Sequence, residues 1–200
     1  MTLHDVYIKR PILNLIRGHE SWRVVDLGFG YGEWGLLMRH EMPGVRLTGI
    51  EAYGEYIRRM EMFRIYHELV HEDASDYIDN NPDWDMILCT DVIEHQPREW
   101  GEKFLDRLDK AKAQLTIVTT PCGYSKVPEG RDGNPDNRHV SGWTPDDFTV
   151  HGFNVSLIPL VTVPFWLRPI QTVVNYLRGG KANAEILAYR YGTDYWLNQK

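Results

Sequence analysis

The chain has 200 residues, of which 42% are hydrophobic and 25% are charged, and its formal net charge is −6. This length and composition are typical of one globular unit, so we predict a single domain over residues 1–200. No apolar run approaches the roughly 18–20 residues that a membrane-spanning helix requires, which excludes a transmembrane segment. Lys and Arg form no cluster, which disfavours a nucleic-acid partner.

The cysteines and the N-terminus bear on location. Cys89 and Cys122 are too few and too far apart for a zinc site or a disulfide framework. Residues 1–10 carry charged side chains and lack the apolar core of a signal peptide. These features predict a protein of a reducing compartment, the cytoplasm.

Short β-rich runs alternate with helical stretches, which predicts an α/β fold with a mostly parallel sheet and helices on both faces. The predicted strands, seven in number, cover residues 22–27, 45–51, 68–72, 84–90, 114–119, 154–159 and 184–191. The predicted helices cover residues 7–16, 33–41, 53–63, 74–79, 96–113 and a short segment that Thr144 caps.

Two segments fall outside this pattern. Residues 121–140 form a polar loop rich in Gly, Pro, Asn and Asp, and loops of this length are often functional or mobile. Residues 160–181 form an apolar, aromatic insertion between the sixth and seventh strands. The alternatives for this insertion are packing on the core, a cover for a substrate pocket, a homodimer interface or a membrane-surface contact.

The strongest local motif follows the first predicted strand. There the chain reads Asp26-Leu27-Gly28-Phe29-Gly30-Tyr31-Gly32, with glycine at alternate positions. Glycine lets the backbone turn sharply beside a ligand, and the next helix presents free N–H groups. A dinucleotide fold requires glycine where Glu33 stands, and a carboxylate there repels a pyrophosphate. A ligand with cationic groups suits Asp26 better, and an NAD-dependent oxidoreductase is the alternative.

A second acid supports a nucleoside ligand. Glu51 closes the second strand about 20 residues after the glycine turn, where an acid accepts both ribose hydroxyls. Over residues 22–153 the chain resembles class I S-adenosylmethionine (SAM)-dependent methyltransferases. The resemblance implies a Rossmann-like, seven-stranded sheet of order 3-2-1-4-5-7-6, with strand 7 antiparallel. It also implies SAM as cofactor and S-adenosylhomocysteine as product.

The resemblance assigns cofactor contacts in chain order. Asp26, Gly28, Gly30 and Gly32 match the first motif of the family, and Glu51 matches its ribose-binding acid. Further contacts fall after strands three and four. They are Asp73 and Ala74 beside the adenine, and Asp91 at the start of the segment after strand four.

Candidate catalytic residues follow the fourth strand. Asp91, Glu94 and His95 have the spacing that places side chains on one face of a helix. His95 is either packed or hydrogen-bonded near the mouth of the cofactor site, or a general base, or a metal ligand. The segment resembles ubiquinone-pathway O-methyltransferases and small-RNA 2′-O-methyltransferases. The latter resemblance adds His139, four residues before Trp143. We predict no metal as the default, and Asp91, Glu94, His95 and His139 as the set that would hold a divalent ion.

Several functions are compatible with these residues. The leading prediction is transfer of a methyl group from SAM to a small-molecule acceptor, at oxygen, with nitrogen and carbon as alternative acceptor atoms. One alternative is a metal-assisted methyltransferase for a 2′-hydroxyl or diol of a nucleic acid. Another is a non-catalytic SAM-binding module that contacts a partner through residues 160–181.

Overall fold

The computed structural model describes residues 3–59, 61–125, 133–159, 184–193 and 195. Its centre is a seven-stranded sheet in the order β3-β2-β1-β4-β5-β7-β6. The strands are β1 (Arg23–Leu27), β2 (Arg46–Glu51), β3 (Glu68–His71), β4 (Asp83–Thr90), β5 (Lys112–Pro121), β6 (Asn154–Pro159) and β7 (Ala184–Tyr191). The predicted number and order of strands are confirmed.

The pairing of the strands decides which ends meet. The pairs β1–β2, β2–β3, β1–β4 and β4–β5 are parallel, whereas β7 is antiparallel to both β5 and β6, as predicted. Leu27 pairs with Ile50 on one side and with Cys89 on the other. The carboxyl ends of β1, β2, β4 and β5 therefore lie at one edge of the sheet, which is where α/β folds bind ligands.

Two core clusters cover the two faces of the sheet. Side chains alternate along β1, so that Val24 packs in one cluster and Val25 in the other. The helices are α1 (Leu3–Ile16), α2 (Glu33–Glu41), α3 (Gly54–Arg59), α4 (Ala74–Asn80), α5 (Arg98–Lys110) and α6 (Pro145–Thr149). The helix α1 begins earlier than predicted and buries Ile12 and Ile16 against the first cluster.

Two helices are shorter than the sequence predicts. Residues 53–63 form α3 and then a 3₁₀ turn, Met62–Arg64, with Glu61 in a left-handed conformation before the turn. Residues 96–113 contain α5 only as far as Lys110, and β5 begins at Lys112. The helix α5 also begins two residues later than predicted, because Gln96 precedes a proline and is therefore held in extended backbone.

Parts of the sequence interpretation lie outside the described residues. Residues 160–181 are among them, and so are the four interpretations of that insertion. Residues 126–132 of the long polar loop are also outside. Within the part of the chain that the structure describes, no helix has the length and apolarity needed to cross a membrane.

Candidate functional site

The glycine turn connects β1 to α2 at the ligand edge of the sheet. Gly28 has φ +69, its N–H donates to Ile50 O at 2.8 Å, and an added Cβ would lie 2.5 Å from a methyl carbon of Val92. Only glycine fits this position, because both the conformation and the space exclude a side chain. Gly30 has φ +52 and open space beside it, so the backbone there is accessible to a ligand.

Glu51 lies at the tip of β2 with both carboxylate oxygens bonded to backbone N–H groups. Oε2 accepts from Gly30 at 2.9 Å and Oε1 accepts from Tyr53 at 2.8 Å. Burial raises the pKa of this carboxyl, while the two N–H donors oppose that shift. The side chain is therefore held in one orientation beside the glycine turn.

A cleft of about 710 Å³ opens beside these groups. Six of the residues predicted to bind a cofactor line it, namely Gly28, Gly30, Glu51, Asp73, Ala74 and Asp91. The predicted residues Asp26 and Gly32 do not line the cleft. Asp26 lies beneath the turn, and Gly32, the N-cap of α2, packs against Met62.

Asp26 supports the turn from below. Its side chain is fully buried, Tyr66 donates a 2.5 Å hydrogen bond to Oδ2, and Oδ1 has no partner among the described residues. Burial raises the pKa of Asp26 to about 7, against the opposing effect of the Tyr66 hydrogen bond. The sequence gives no sign of Tyr66, because the two residues meet only through the packing of the chain after α3.

Two other groups complete the cofactor end of the cleft. Asp73 is the N-cap of α4, where its Oδ1 accepts from Ser75 N at 2.8 Å. Tyr53 lines the cleft, and its hydroxyl donates to Gly133 O at 3.0 Å, which ties the long loop to the cofactor side. The loop residues that line the cleft were not named from the sequence, and they are Asn134, Asp136 and Asn137.

The predicted catalytic residues lie around the end of the cleft that follows β4, where His95 lines the cleft and Glu94 and His139 are not among its lining residues. The prediction that Asp91, Glu94 and His95 share a helix face is wrong, because Ile93–His95 is a 3₁₀ turn and Asp91 is left-handed with φ +53. His139 still reaches the turn, and its Nε2 lies 4.0 Å from Glu94 Oε1. The His95 and His139 rings are 4.9 Å apart.

A metal ion needs several ligand atoms close together. Among the described residues, the one group of three or more His, Cys, Asp or Glu side chains whose ligand atoms all lie within 4.8 Å of one another is Glu94, His95 and His139. This is the predicted metal set without Asp91, whose Oδ1 accepts instead from the Thr119 hydroxyl at 3.3 Å. We call Glu94, His95 and His139 the catalytic cluster.

Hydrogen bonds hold the catalytic cluster together. Glu94 O accepts from the N–H groups of Val140 and Ser141, at 2.8 and 3.2 Å, which fixes the chain beside His139. Glu94 Oε2 accepts from the Thr120 hydroxyl at 2.8 Å. Its Oε1 is buried with no hydrogen-bond partner in the described ranges. Burial, then Asp91, raises the pKa of Glu94 well above its usual value.

Both histidines of the catalytic cluster favour the neutral form. Burial lowers the pKa of His95, whose Nδ1 lies 3.2 Å from Arg138 O. Burial, then the neighbouring His95, lowers the pKa of His139. A neutral imidazole can accept a proton or bind a metal ion, so the cluster is chemically suited to either task.

A further acid lies beneath this end of the cleft and was missed from the sequence. Glu185 is on β7 opposite Pro121 of β5, is fully buried, and forms a side-chain hydrogen bond with Asp91. Burial, then Asp91, raises its pKa to about 11. The signal was an acid inside the apolar run 184–188, where a buried strand otherwise carries no charge.

The sheet order, the glycine turn and the acid at the tip of β2 define the fold of class I SAM-dependent methyltransferases. Among similar solved structures is a SAM-dependent methyltransferase from Archaeoglobus fulgidus. It has a TM-score of 0.63 and 19% identity, over 94% of this chain and 95% of that one.

Two other structures are similar over 95% of this chain. The methyltransferase domain of bacterial CtHen1 has a TM-score of 0.59 and 16% identity, with all of its own chain covered (100%). The magnesium protoporphyrin IX methyltransferase of Synechocystis PCC 6803, solved with bound SAM, has a TM-score of 0.60 and 11% identity, with 79% of its chain covered. No family model and no curated protein sequence matches this chain.

Proposed function

We propose that this chain is a methyltransferase that binds SAM in the cleft. The observation that carries the proposal is the carboxylate of Glu51, held by two backbone N–H groups beside an exposed glycine turn. A fixed carboxylate at the tip of the second strand is suited to accept the two hydroxyls of a ribose. Asp73 and Ala74 would then lie beside the adenine, and Asp91 beside the methionine end.

The charges around the cleft also suit SAM. Five acids and no Lys or Arg occur among the described residues that line it, and the acids are Glu51, Glu72, Asp73, Asp91 and Asp136. A sulfonium and an ammonium group are attracted by such a lining, whereas a pyrophosphate is repelled. Glu33 in the first turn of α2 adds to that repulsion, which argues against NAD.

Calorimetric titration with SAM, S-adenosylhomocysteine and NAD tests the cofactor. We expect the two adenosyl ligands to bind and NAD not to bind. Glu51→Ala should weaken SAM binding by about tenfold to a hundredfold, because it removes hydrogen bonds to a charged group. Glu68→Ala, an exposed acid on the adjacent β3, is the control and should leave SAM binding unchanged. Failure of the wild-type protein to bind SAM would refute the proposal.

For the acceptor, we propose the hydroxyl group of a small molecule. The neutral imidazoles of His95 and His139 are suited to act as a general base at the catalytic cluster. Bound SAM would supply the methyl group to the acceptor oxygen, and its sulfonium would become a neutral thioether as the bond from sulfur to that carbon breaks. The hydroxyl proton passes to an imidazole, so that charge is conserved at each step.

A second candidate is methyl transfer that depends on a divalent ion. The observation in its favour is the unsatisfied Oε1 of Glu94, 4.0 Å from Nε2 of His139. Glu94, His95 and His139 offer one oxygen and two nitrogen donors, a set that fits a divalent transition ion. Such an ion, when bound, supplies Lewis acidity to a hydroxyl acceptor.

Titration of the protein with Mn²⁺ and Co²⁺ separates the two candidates. Metal-assisted transfer predicts binding of one of these ions and its loss in His139→Ala, with SAM binding retained. His40→Ala is the control, because His40 is on an exposed face of α2 away from the cleft. If neither ion binds, the general-base mechanism stands alone.

A further inference from the structure

A carboxyl group on β7 lies beneath the cleft and contacts one of the carboxylates that line it. Glu185 is fully buried, whereas its hydrogen-bond partner Asp91 is exposed to the cleft. Asp91 follows the end of β4, and β5 lies between β4 and β7 in the sheet. Two acids from distant parts of the sequence therefore meet at the ligand edge, one shielded from solvent and the other facing it.

One of these two carboxyl groups must carry a proton, because two ionised carboxylates have no donor to share. Glu185 is fully buried, and burial disfavours the charged form of a carboxyl group. Asp91 faces the cleft and keeps the hydration that an ionised carboxylate requires. Glu185 is therefore the donor and Asp91 the anionic acceptor.

The backbone at Asp91 also depends on its surroundings. Its φ of +53 lies in the left-handed region, which is uncommon for a residue other than glycine. Its N–H donates to Thr119 O at 3.0 Å, and its Oδ1 accepts from the Thr119 hydroxyl at 3.3 Å. Such a conformation persists where several contacts determine it, and the hydrogen bond from Glu185 is one of these contacts.

We propose that Glu185, as a neutral hydrogen-bond donor, positions the carboxylate of Asp91 against the positively charged end of the cofactor. This inference rests on the proposed assignment of the cleft to SAM, whose sulfonium and ammonium groups carry the positive charge. Glu185 acts through Asp91 and is a positioning residue. A neutral group at this place fixes Asp91 without adding a buried charge, which would be costly.

Calorimetric binding of SAM and of adenosine to four proteins tests the inference. Glutamine keeps a donor N–H at the same distance, so Glu185→Gln should bind SAM within about twofold of the wild type. Glu185→Leu keeps the volume and removes the donor, so SAM binding should weaken about tenfold, and Asp91→Asn should do the same. Adenosine has no cationic end and should bind all four proteins equally.

The outcomes separate this inference from the proposed function. A wild-type protein that binds neither ligand overturns the assignment of the cleft, and the inference with it. If the wild type binds SAM and Glu185→Leu binds it equally well, the inference alone is overturned. It is also overturned if Glu185→Gln loses as much SAM affinity as Glu185→Leu.

A second measurement applies if Glu185→Leu does not fold, which thermal unfolding followed by circular dichroism would show. The infrared difference spectrum between the wild type and Glu185→Gln at neutral pH reports the charge state of Glu185 directly. The band of a protonated carboxyl supports the inference. The band of an ionised carboxylate overturns it.

Discussion

The two ends of the cleft hold their carboxylates in different ways. Beside β2, the Glu51 carboxylate accepts one hydrogen bond from the Gly30 N–H and another from the Tyr53 N–H, so each of its oxygens already has a partner. Beside β4, Glu94 Oε2 accepts a hydrogen bond from the Thr120 hydroxyl, and Glu94 Oε1 is buried without a partner in the described residues. Glu51 is organised in advance, whereas Glu94 keeps an unused bonding position.

This difference separates binding from chemistry. A buried polar atom without a partner costs about 1–3 kcal/mol, so one that is retained needs an explanation. At Glu94 the explanation that we favour is use during turnover, by an acceptor, a proton or a cation. At Glu51 the bonds to the backbone fix a contact whose geometry need not change. Changes at the two ends should therefore have different effects on affinity and on rate.

The largest expected effect is on turnover at the β4 end. Glu94→Gln and His139→Ala should each lower the rate of S-adenosylhomocysteine release with phenol and catechol acceptors by about a hundredfold or more. SAM affinity should stay within about twofold of the wild type, because neither residue is among those that line the cleft. His40→Ala is the control for removal of a histidine. A parallel loss of SAM affinity would show that the two ends are not separate.

An intermediate effect is expected on stability beneath the glycine turn. The pKa of Asp26 is raised to about 7 in the folded protein, so its contribution to stability is present at low pH and is lost as pH rises toward 7. The free energy of unfolding should fall between pH 4 and pH 8 by an amount on the order of 4 kcal/mol at most. Asp26→Asn should remove this part of the pH dependence.

Denaturant unfolding at several pH values measures this change. Asp83→Asn is the matched control, since the side chain of Asp83 is largely exposed at the opposite edge of the sheet. The interpretation fails if the unfolding free energies of the wild type and Asp26→Asn vary with pH in the same way. Such a result would mean that ionising Asp26 costs little free energy in the folded protein.

The smallest expected effect is on SAM affinity, after removal of one tyrosine hydroxyl on each side of the cleft. Tyr53 donates to Gly133 O at 3.0 Å on the β2 side, and Tyr124 donates to His139 O at 3.2 Å on the β4 side. Tyr53→Phe should weaken SAM binding by about twofold to tenfold, as expected for loss of one hydrogen bond. Tyr124→Phe should leave SAM affinity unchanged. Equal effects on SAM affinity would contradict the division of the cleft.

Local patterns in the sequence were sufficient to predict the sheet. Alternation of β-rich and helical runs gave the seven strands, and β6 and β7 have the predicted bounds. The glycine turn and Glu51 were also predictable, because each depends on a few neighbouring residues at the end of one strand. Their place along the cleft follows from the parallel pairing of β1 with β2.

Contacts between distant segments were not predictable in the same way. Glu185 meets Asp91 only because β5 pairs with both β4 and β7, and no spacing along the chain indicates this. The helix face assigned to Asp91, Glu94 and His95 failed because Asp91 is left-handed and Ile93–His95 is a 3₁₀ turn. His139 was found through a family resemblance, and its hydrogen-bonded surroundings became visible only in the structure.

The segment 133–141 connects the cleft to the group formed by Glu94, His95 and His139. Asn134 lines the cleft, whereas Val140 and Ser141 donate hydrogen bonds to the carbonyl of Glu94. A displacement of this segment would therefore change both the wall of the cleft and the distance between His139 and Glu94. On the proposed function, the residues that enclose the cofactor and those that serve the reaction belong to one continuous stretch of chain.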